Sequence, residues 1–337
     1  MIEVIYMEDG IRDHPRSQQI LARFPRATVL PCKHYKEVFN PAGQSFRLQK
    51  KKPALILAQQ TGKLIHPIPP SYGVGGTRNF YFSHLLNCLY DCRYCFLQGM
   101  YPSAHYLMFV NFEDFEEEIL RATKTSEEPS WFFSGYDCDS LALESVTGFA
   151  DHFLPFFKKL DNAWIELRTK SVATRVLRER EPLDRAVVAF SFTPQEISTQ
   201  LEHGVPSVDA RIRAMLQLAE QGWKIGLRID PLIDCTGFKD RYAKLFENIF
   251  TTLSEHTIHS VSLGAFRMPH GFFKKMEKHY PEEPLFASDL ESKGGIIAYR
   301  EHTEKRLKHT CFELLEKWVA QTKSSPVKPN WWNFKVL

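Results

Sequence analysis

From residue 79 onward, short β-rich runs alternate with amphipathic helical stretches, and few folds accept that rhythm. The β-rich runs fall near 79–86, 130–134, 163–168, 186–192, 224–230 and 259–265, with helical patterning over 112–123, 144–160, 208–221 and 239–253. Strands separated by helices cannot pair as hairpins; each returns parallel to its neighbour through a crossover. Six such units predict an α/β fold built on an open, partial (β/α)6 TIM-type barrel, because a closed eightfold barrel takes about 250 residues of alternation. Chemistry in such a barrel belongs at the C-terminal ends of its strands.

The barrel pattern spans residues 76–270. Before it, residues 1–75 read as a small α/β unit and a linker. A β-rich start is followed by Asp13-His14-Pro15 opening a helix, with Pro in the first turn, and by a second β run closing at Leu30. A further β-rich run lies at 53–58, and the Pro- and Gly-rich segment 67–75 reads as the linker. Residues 271–337 form a C-terminal extension with a hairpin-like stretch near 294–300, a helix and the aromatic tail Trp331-Trp332-Asn333-Phe334. Hydrophobic content of 43% and charged content of 25% fit a soluble globular chain rather than a fibrous or disordered one. No apolar run approaches the roughly 20 residues that span a bilayer, and MIEVIYMEDG has no basic region followed by an apolar stretch. The expectation is a cytoplasmic protein with no membrane partner. A net charge of +3 permits a nucleic-acid partner without requiring one.

Seven cysteines, an odd number, suit a reducing compartment better than a disulfide framework. Cys32, Cys138, Cys235 and Cys311 are scattered, but Cys88, Cys92 and Cys95 crowd into one short stretch after the first barrel strand. The C-x3-C-x2-C spacing lets one loop wrap three irons of a cubane [4Fe–4S] cluster. Ferredoxin clusters take four thiolates. With no fourth cysteine in the loop, one iron keeps an open position, as catalytic metals do. Zinc would call for paired C-x2-C knuckles or nearby histidines, and His84 and His105 lie outside the loop.

This motif, with the aromatic Tyr94 before the last cysteine, resembles that of the radical S-adenosylmethionine (AdoMet) enzymes. Within that superfamily the chain resembles the spore photoproduct lyase family over nearly its whole length. The resemblance is carried by Asp13-His-Pro-Arg16, Tyr35-Lys-Glu-Val-Phe-Asn40, Phe46-Arg-Leu-Gln-Lys50 and the stretch from Cys88 to Gln98. It continues in Val110-Asn111, Thr169-Lys170, Phe190-Ser191, Glu202-x-Gly204 with Asp209-x-Arg211, and Gly222-Trp-Lys-Ile-Gly226. It implies that the open iron chelates AdoMet and that one electron from the reduced cluster yields a 5′-deoxyadenosyl radical. The electron donor would be a flavodoxin or ferredoxin. In the family that radical takes a hydrogen from a methylene-bridged thymine dimer in DNA, and the chain would be a carbon–carbon lyase of DNA repair.

Residue by residue, the resemblance makes Cys88, Cys92 and Cys95 the cluster ligands, and Lys170 and Ser191 AdoMet contacts at the ends of the third and fourth barrel strands. Tyr94 matches a tyrosine of the family's hydrogen-return relay beside the cofactor. An ungapped match of Tyr136-Asp-Cys-Asp-Ser-Leu-Ala-Leu-Glu144 places Cys138 at another cofactor contact and puts Tyr136 where the family carries its hydrogen-donor cysteine. A two-residue gap would instead make Cys138 the donor, at the expense of the matches at Asp139, Leu143 and Glu144. A second relay tyrosine is replaced by Phe96. Because the relay is not preserved, a radical enzyme acting on a different nucleic-acid or small substrate stands as the alternative. For DNA contact, the basic run 47–52 and the patch of Lys274, Lys275, Lys278 and His279 are candidate phosphate contacts, and the aromatic tail has rings suited to base stacking.

Overall fold

Leu55–Ala58 is apolar and buried along its whole length, which is how a parallel strand covered on both faces reads. In the computed structural model, which describes residues 2–68, 76–253, 257–322 and 335–336, it is the centre of a five-stranded sheet. Val4–Glu8 and Thr28–Cys32 pair parallel on one side of it, and Tyr106–Phe109 pairs parallel on the other. The helix Pro15–Arg23 connects the first two strands. His14 caps it, accepting from the Arg16 amide at 3.1 Å, and Pro15 takes the first turn, where no intrahelical amide is needed.

The second sheet carries the barrel. Its parallel strands are Arg78–Phe82, Ser130–Ser134, Ala163–Thr169, Ala186–Ser191, Lys224–Leu232 and Ile258–Ala265, each paired with the next in chain order. Ile65–Pro67 lies antiparallel on the first of these, and Lys335–Val336 lies parallel on the last. The ends of the strand order do not meet, so the sheet is an open partial barrel. Helices cover the outside with the faces their spacing dictates. Phe112–Lys124 buries Phe112, Phe115, Ile119 and Thr123, with acidic residues in its first turn and basic ones in its last, as the helix dipole favours. Phe82 packs its ring on Phe115, Phe149 and Phe153 at 5.3–6.1 Å, joining the first strand to two helices. Burying one such ring stabilises by about 1.5–3 kcal/mol.

The two sheets are stitched together just after the first barrel strand. Leu85–Leu86 leaves the barrel and pairs antiparallel with Tyr106–Phe109 of the N-terminal sheet. The cysteine loop therefore starts in one sheet and ends near the other. At the far end of the chain, Leu290–Lys293 and Ile296–Tyr299 form the hairpin expected near 294–300. Gly294 (φ 58°) and Gly295 (φ 78°) both take the left-handed conformation that a two-residue hairpin turn needs. Arg267–Pro269 adds a third strand, and the helix Glu301–Thr322 follows. The aromatic tail 331–334 and most of the segment 67–75 lie outside the described residues. No helix among the described residues is long and apolar enough to cross a membrane.

Candidate functional site

The cysteine loop is built by four separate anchors. Asn87 turns the chain out of the strand with a left-handed φ of 70°. Asparagine tolerates that conformation, and here its side-chain amide also donates to the carbonyls of Ser103 (2.8 Å) and His105 (2.7 Å). Asp91–Cys92 then pairs antiparallel with Glu202–His203, and the Arg93 amide donates to Leu201 O at 2.8 Å. Lys50 reaches in from the N-terminal unit, its Nζ donating to the carbonyls of Cys88 (2.6 Å) and Tyr90 (2.8 Å). The short helix Leu97–Met100 closes the loop against the helix His270–His279. A Cβ at Gly99 would stand 2.3 Å from Phe272 O, so only glycine permits that approach.

All three thiols of the loop are free of disulfides. Burial pushes Cys88 up to about 12 and Cys92 and Cys95 above their usual range. The ammonium of Lys50 works against that rise at Cys88 and Cys95, and that of Lys170 at Cys92 and Cys95. A thiol must lose its proton to bind metal, and both lysines favour that loss. Among the described residues no three His, Cys, Asp or Glu side chains converge tightly enough to share one metal ion. Three thiols on one short loop, each beside a lysine ammonium, are a donor set of the kind that iron–sulfur clusters take. His84 is stacked on Phe149 with ring centroids 3.8 Å apart, and burial lowers it to about 3. His105 Nδ1 accepts from the Ala54 amide at 3.0 Å. Both histidines serve the packing.

Facing the loop is a buried polar knot. Tyr94 Oη donates to Glu202 Oε1. Lys170, the residue after the third barrel strand, places Nζ 3.9 Å from the same oxygen and 5.3 Å from the Tyr94 ring centroid. Ser191 ends the fourth strand and is buried; its carbonyl accepts from Arg211 Nη1 at 2.9 Å. Arg211 Nη2 in turn donates to Glu202 Oε2 at 2.7 Å. Tyr94, Lys170 and Ser191, picked from separate stretches of sequence, are thus brought together at the strand ends by Glu202 and Arg211. Those two charges were not among the candidates. Their signal was a match without a chemical motif, and only the fold reveals that they pair.

The segment after the second strand completes the wall. Gly135 adopts φ +81°, and a Cβ there would meet Ser140 Oγ at 2.6 Å and Arg168 O at 3.0 Å. Asp139 accepts from the amides of Leu141 (3.0 Å) and Ala142 (2.9 Å), from Thr169 Oγ1 (2.7 Å) and from the Lys170 amide (2.6 Å). It therefore fixes this segment to the strand end that carries Lys170. Cys138 is buried, and burial, with the nearby Cys88 thiol adding to it, pushes its thiol well up. Tyr136 points the other way: it is 48% exposed, with its ring 4.6 Å from Tyr81 and 5.4 Å from Phe96. The two basic runs also meet. Phe46 stacks on His279 at 5.1 Å, and Arg47 pairs with Glu282 at 3.1 Å, beside the loop that Lys50 clamps.

The family model for spore photoproduct lyase matches residues 80–324. The spore photoproduct lyase of Bacillus subtilis (strain 168) is 21% identical over 293 residues, covering 84% of this chain and 83% of its own. That of Geobacillus sp. (strain Y412MC61) is 20% identical over 325 residues, covering 91% and 93%. Among solved structures, a cysteine-to-serine mutant of spore photoproduct lyase superposes with a TM-score of 0.84 at 17% identity, over 94% of this chain and 96% of that one. A mutant with bound AdoMet and dinucleoside spore photoproduct gives 0.82 at 18% identity over the same shares. At these identities the structural likeness establishes the fold, a partial barrel with a flanking N-terminal sheet.

Proposed function

The chain belongs to the spore photoproduct lyase family, and on that premise we propose that it is a radical AdoMet lyase that reverses a thymine photoproduct in DNA. The observation that carries the reading is the convergence of Cys88, Cys92 and Cys95 with Tyr94, Lys170 and Ser191 at the strand ends. Cys88, Cys92 and Cys95 would hold a [4Fe–4S] cluster, and Lys170, Ser191, Tyr94 and Cys138 would line the AdoMet pocket beside it. Together the two cofactors supply what no side chain can, a carbon-centred radical able to abstract hydrogen from the lesion, using an electron from a flavodoxin- or ferredoxin-type donor.

The chain's own residues then have definite tasks. Lys170 brings a positive charge to the pocket, suited to a carboxylate such as that of AdoMet. Asp139 keeps the 135–142 segment registered on Lys170. Cys138, buried beside Cys88, is a pocket wall, and Tyr136 is on the open side where a DNA lesion approaches. This placement supports the ungapped register, with Tyr136 as hydrogen donor. Its Oη would pass a hydrogen atom to the thymine radical left by fragmentation and become a phenoxyl radical. Phe96 has no O–H with which to re-reduce it; Tyr81, its ring closer at 4.6 Å, has one. The exposed cations Lys51, Lys274, Lys275 and Lys278 support a duplex or strand passing near the site, through phosphate contacts.

A second reading has an observation of its own. With tyrosine at the donor position and Phe96 beside it, the site also fits a radical enzyme acting on another nucleic-acid or small substrate. One experiment separates the two. Protein reconstituted anaerobically should bind about four irons, lose most of them in Cys92→Ala, and restore thymines in photoproduct-bearing DNA when given AdoMet and reductant. AdoMet cleavage without loss of the lesion would favour the second reading, and iron binding indifferent to Cys92→Ala would remove both.

A further inference from the structure

Glu202 stands where three parts of the site meet. It is buried. Oε1 accepts from Tyr94 Oη and from Thr193 Oγ1 (3.1 Å), and faces Lys170 Nζ at 3.9 Å. Oε2 accepts from Ser198 Oγ (2.7 Å) and Arg211 Nη2 (2.7 Å). Its backbone pairs with Cys92 in the short ladder that anchors the cysteine loop. Five donors close in on its two oxygens.

A purely structural ion pair would need Arg211 and nothing more. Here Arg211 and Ser198 occupy one oxygen, leaving the other for Tyr94, Thr193 and Lys170. Only a carboxylate serves both sides, since a side-chain amide would turn an N–H toward one set of donors. The structure assigns Glu202 a positioning role in cofactor binding: its Oε1 holds Lys170 Nζ and Tyr94 Oη at fixed points on the AdoMet pocket. This assignment rests on the AdoMet reading above. A long lysine side chain loses rotamer freedom when it is held in place, and a residue already ordered loses less of it on binding. Arg211 also donates to Ser191 O, so the same knot reaches the fourth strand end.

The test is a double-mutant cycle on the cluster-loaded protein, read as the calorimetric dissociation constant of AdoMet alongside iron content and unfolding midpoint. Lys170→Ala and Glu202→Gln should each weaken AdoMet about tenfold, while the double variant weakens it by about the same factor rather than a hundredfold. Iron content should stay at the wild-type value. Thr193→Val, which removes one donor to Oε1 and leaves the ion pair, should weaken binding by about two- to threefold and likewise fail to add to Lys170→Ala. If Glu202→Gln does not fold, the cycle of Thr193→Val with Lys170→Ala decides alone. Additive effects, or wild-type affinity in both Glu202→Gln and Thr193→Val, would overturn the assignment and leave the AdoMet reading intact. A wild type that binds iron but no AdoMet would overturn both.

Discussion

Tyr136 and Cys138 lie two positions apart yet occupy opposite environments, one half-exposed between Tyr81 and Phe96, the other buried. Their substitutions should separate accordingly. Tyr136→Phe should leave AdoMet cleavage near the wild-type rate and lower the yield of restored thymine at least tenfold, a loss in the range of a missing proton- or hydrogen-transfer group. Cys138→Ala should act mainly on AdoMet affinity. An exchange of the two phenotypes, measured by product chromatography and calorimetry, would instead make Cys138 the donor. Gly135→Ala should destabilise by about 2 kcal/mol, because a non-glycine residue is strained at that φ and its Cβ meets Ser140 Oγ at 2.6 Å. A chemical-denaturation midpoint unchanged from wild type would refute that. Among single residues the cysteines were legible because the three proposed cluster ligands stand in one contiguous loop. Glu202, Arg211 and Lys50 were not, because a charged residue looks alike on a surface and in a buried pair until its partners are known.

Among the elements, the helix Phe149–Lys158 has no side-chain cap of its own; Glu144, from the preceding turn, accepts from the amides of Ala150 (2.9 Å) and Asp151 (3.0 Å). Burial raises this carboxyl from 4.5 to about 7. A raised carboxyl keeps its proton in the folded chain while the unfolded chain ionises. Its contribution is therefore complete below about 4.5 and is lost as pH climbs through about 7. Glu144→Gln should remove that slope: between those limits the wild type should lose stability on the order of 3 kcal/mol relative to the variant. Parallel stability curves across that window would contradict it. The barrel strands and their helices were legible because periodicity marks them. Tyr106–Phe109 escaped notice, since a short apolar run carries no period; Leu85–Leu86, read as the end of the first barrel run 79–86, leaves the barrel after Phe82 and pairs in the other sheet, because a two-residue strand is defined only by its partner. The hairpin was visible because two consecutive glycines announce its turn.

Across the whole molecule, the N-terminal sheet and the barrel meet at the cysteine loop, with Lys50 reaching from one and Glu202 from the other. That junction sets the site, and no local pattern encodes it. The strand order of the barrel followed from chain order, but the joining of the two sheets depends on the antiparallel pairing of Leu85–Leu86 with Tyr106–Phe109. If this junction generates a radical and Tyr136 returns the hydrogen, the hydrogen itself can be traced. In heavy water the Tyr136 O–H exchanges for O–D, and the deuterium content of thymines restored from photoproduct DNA then reports their hydrogen source. Wild-type enzyme with AdoMet and reductant should give thymine carrying one deuterium from the donor, and Tyr136→Phe should give little clean product. No restored thymine, product without deuterium, or unaltered deuterated product from Tyr136→Phe would be incompatible with a radical lyase whose donor is Tyr136.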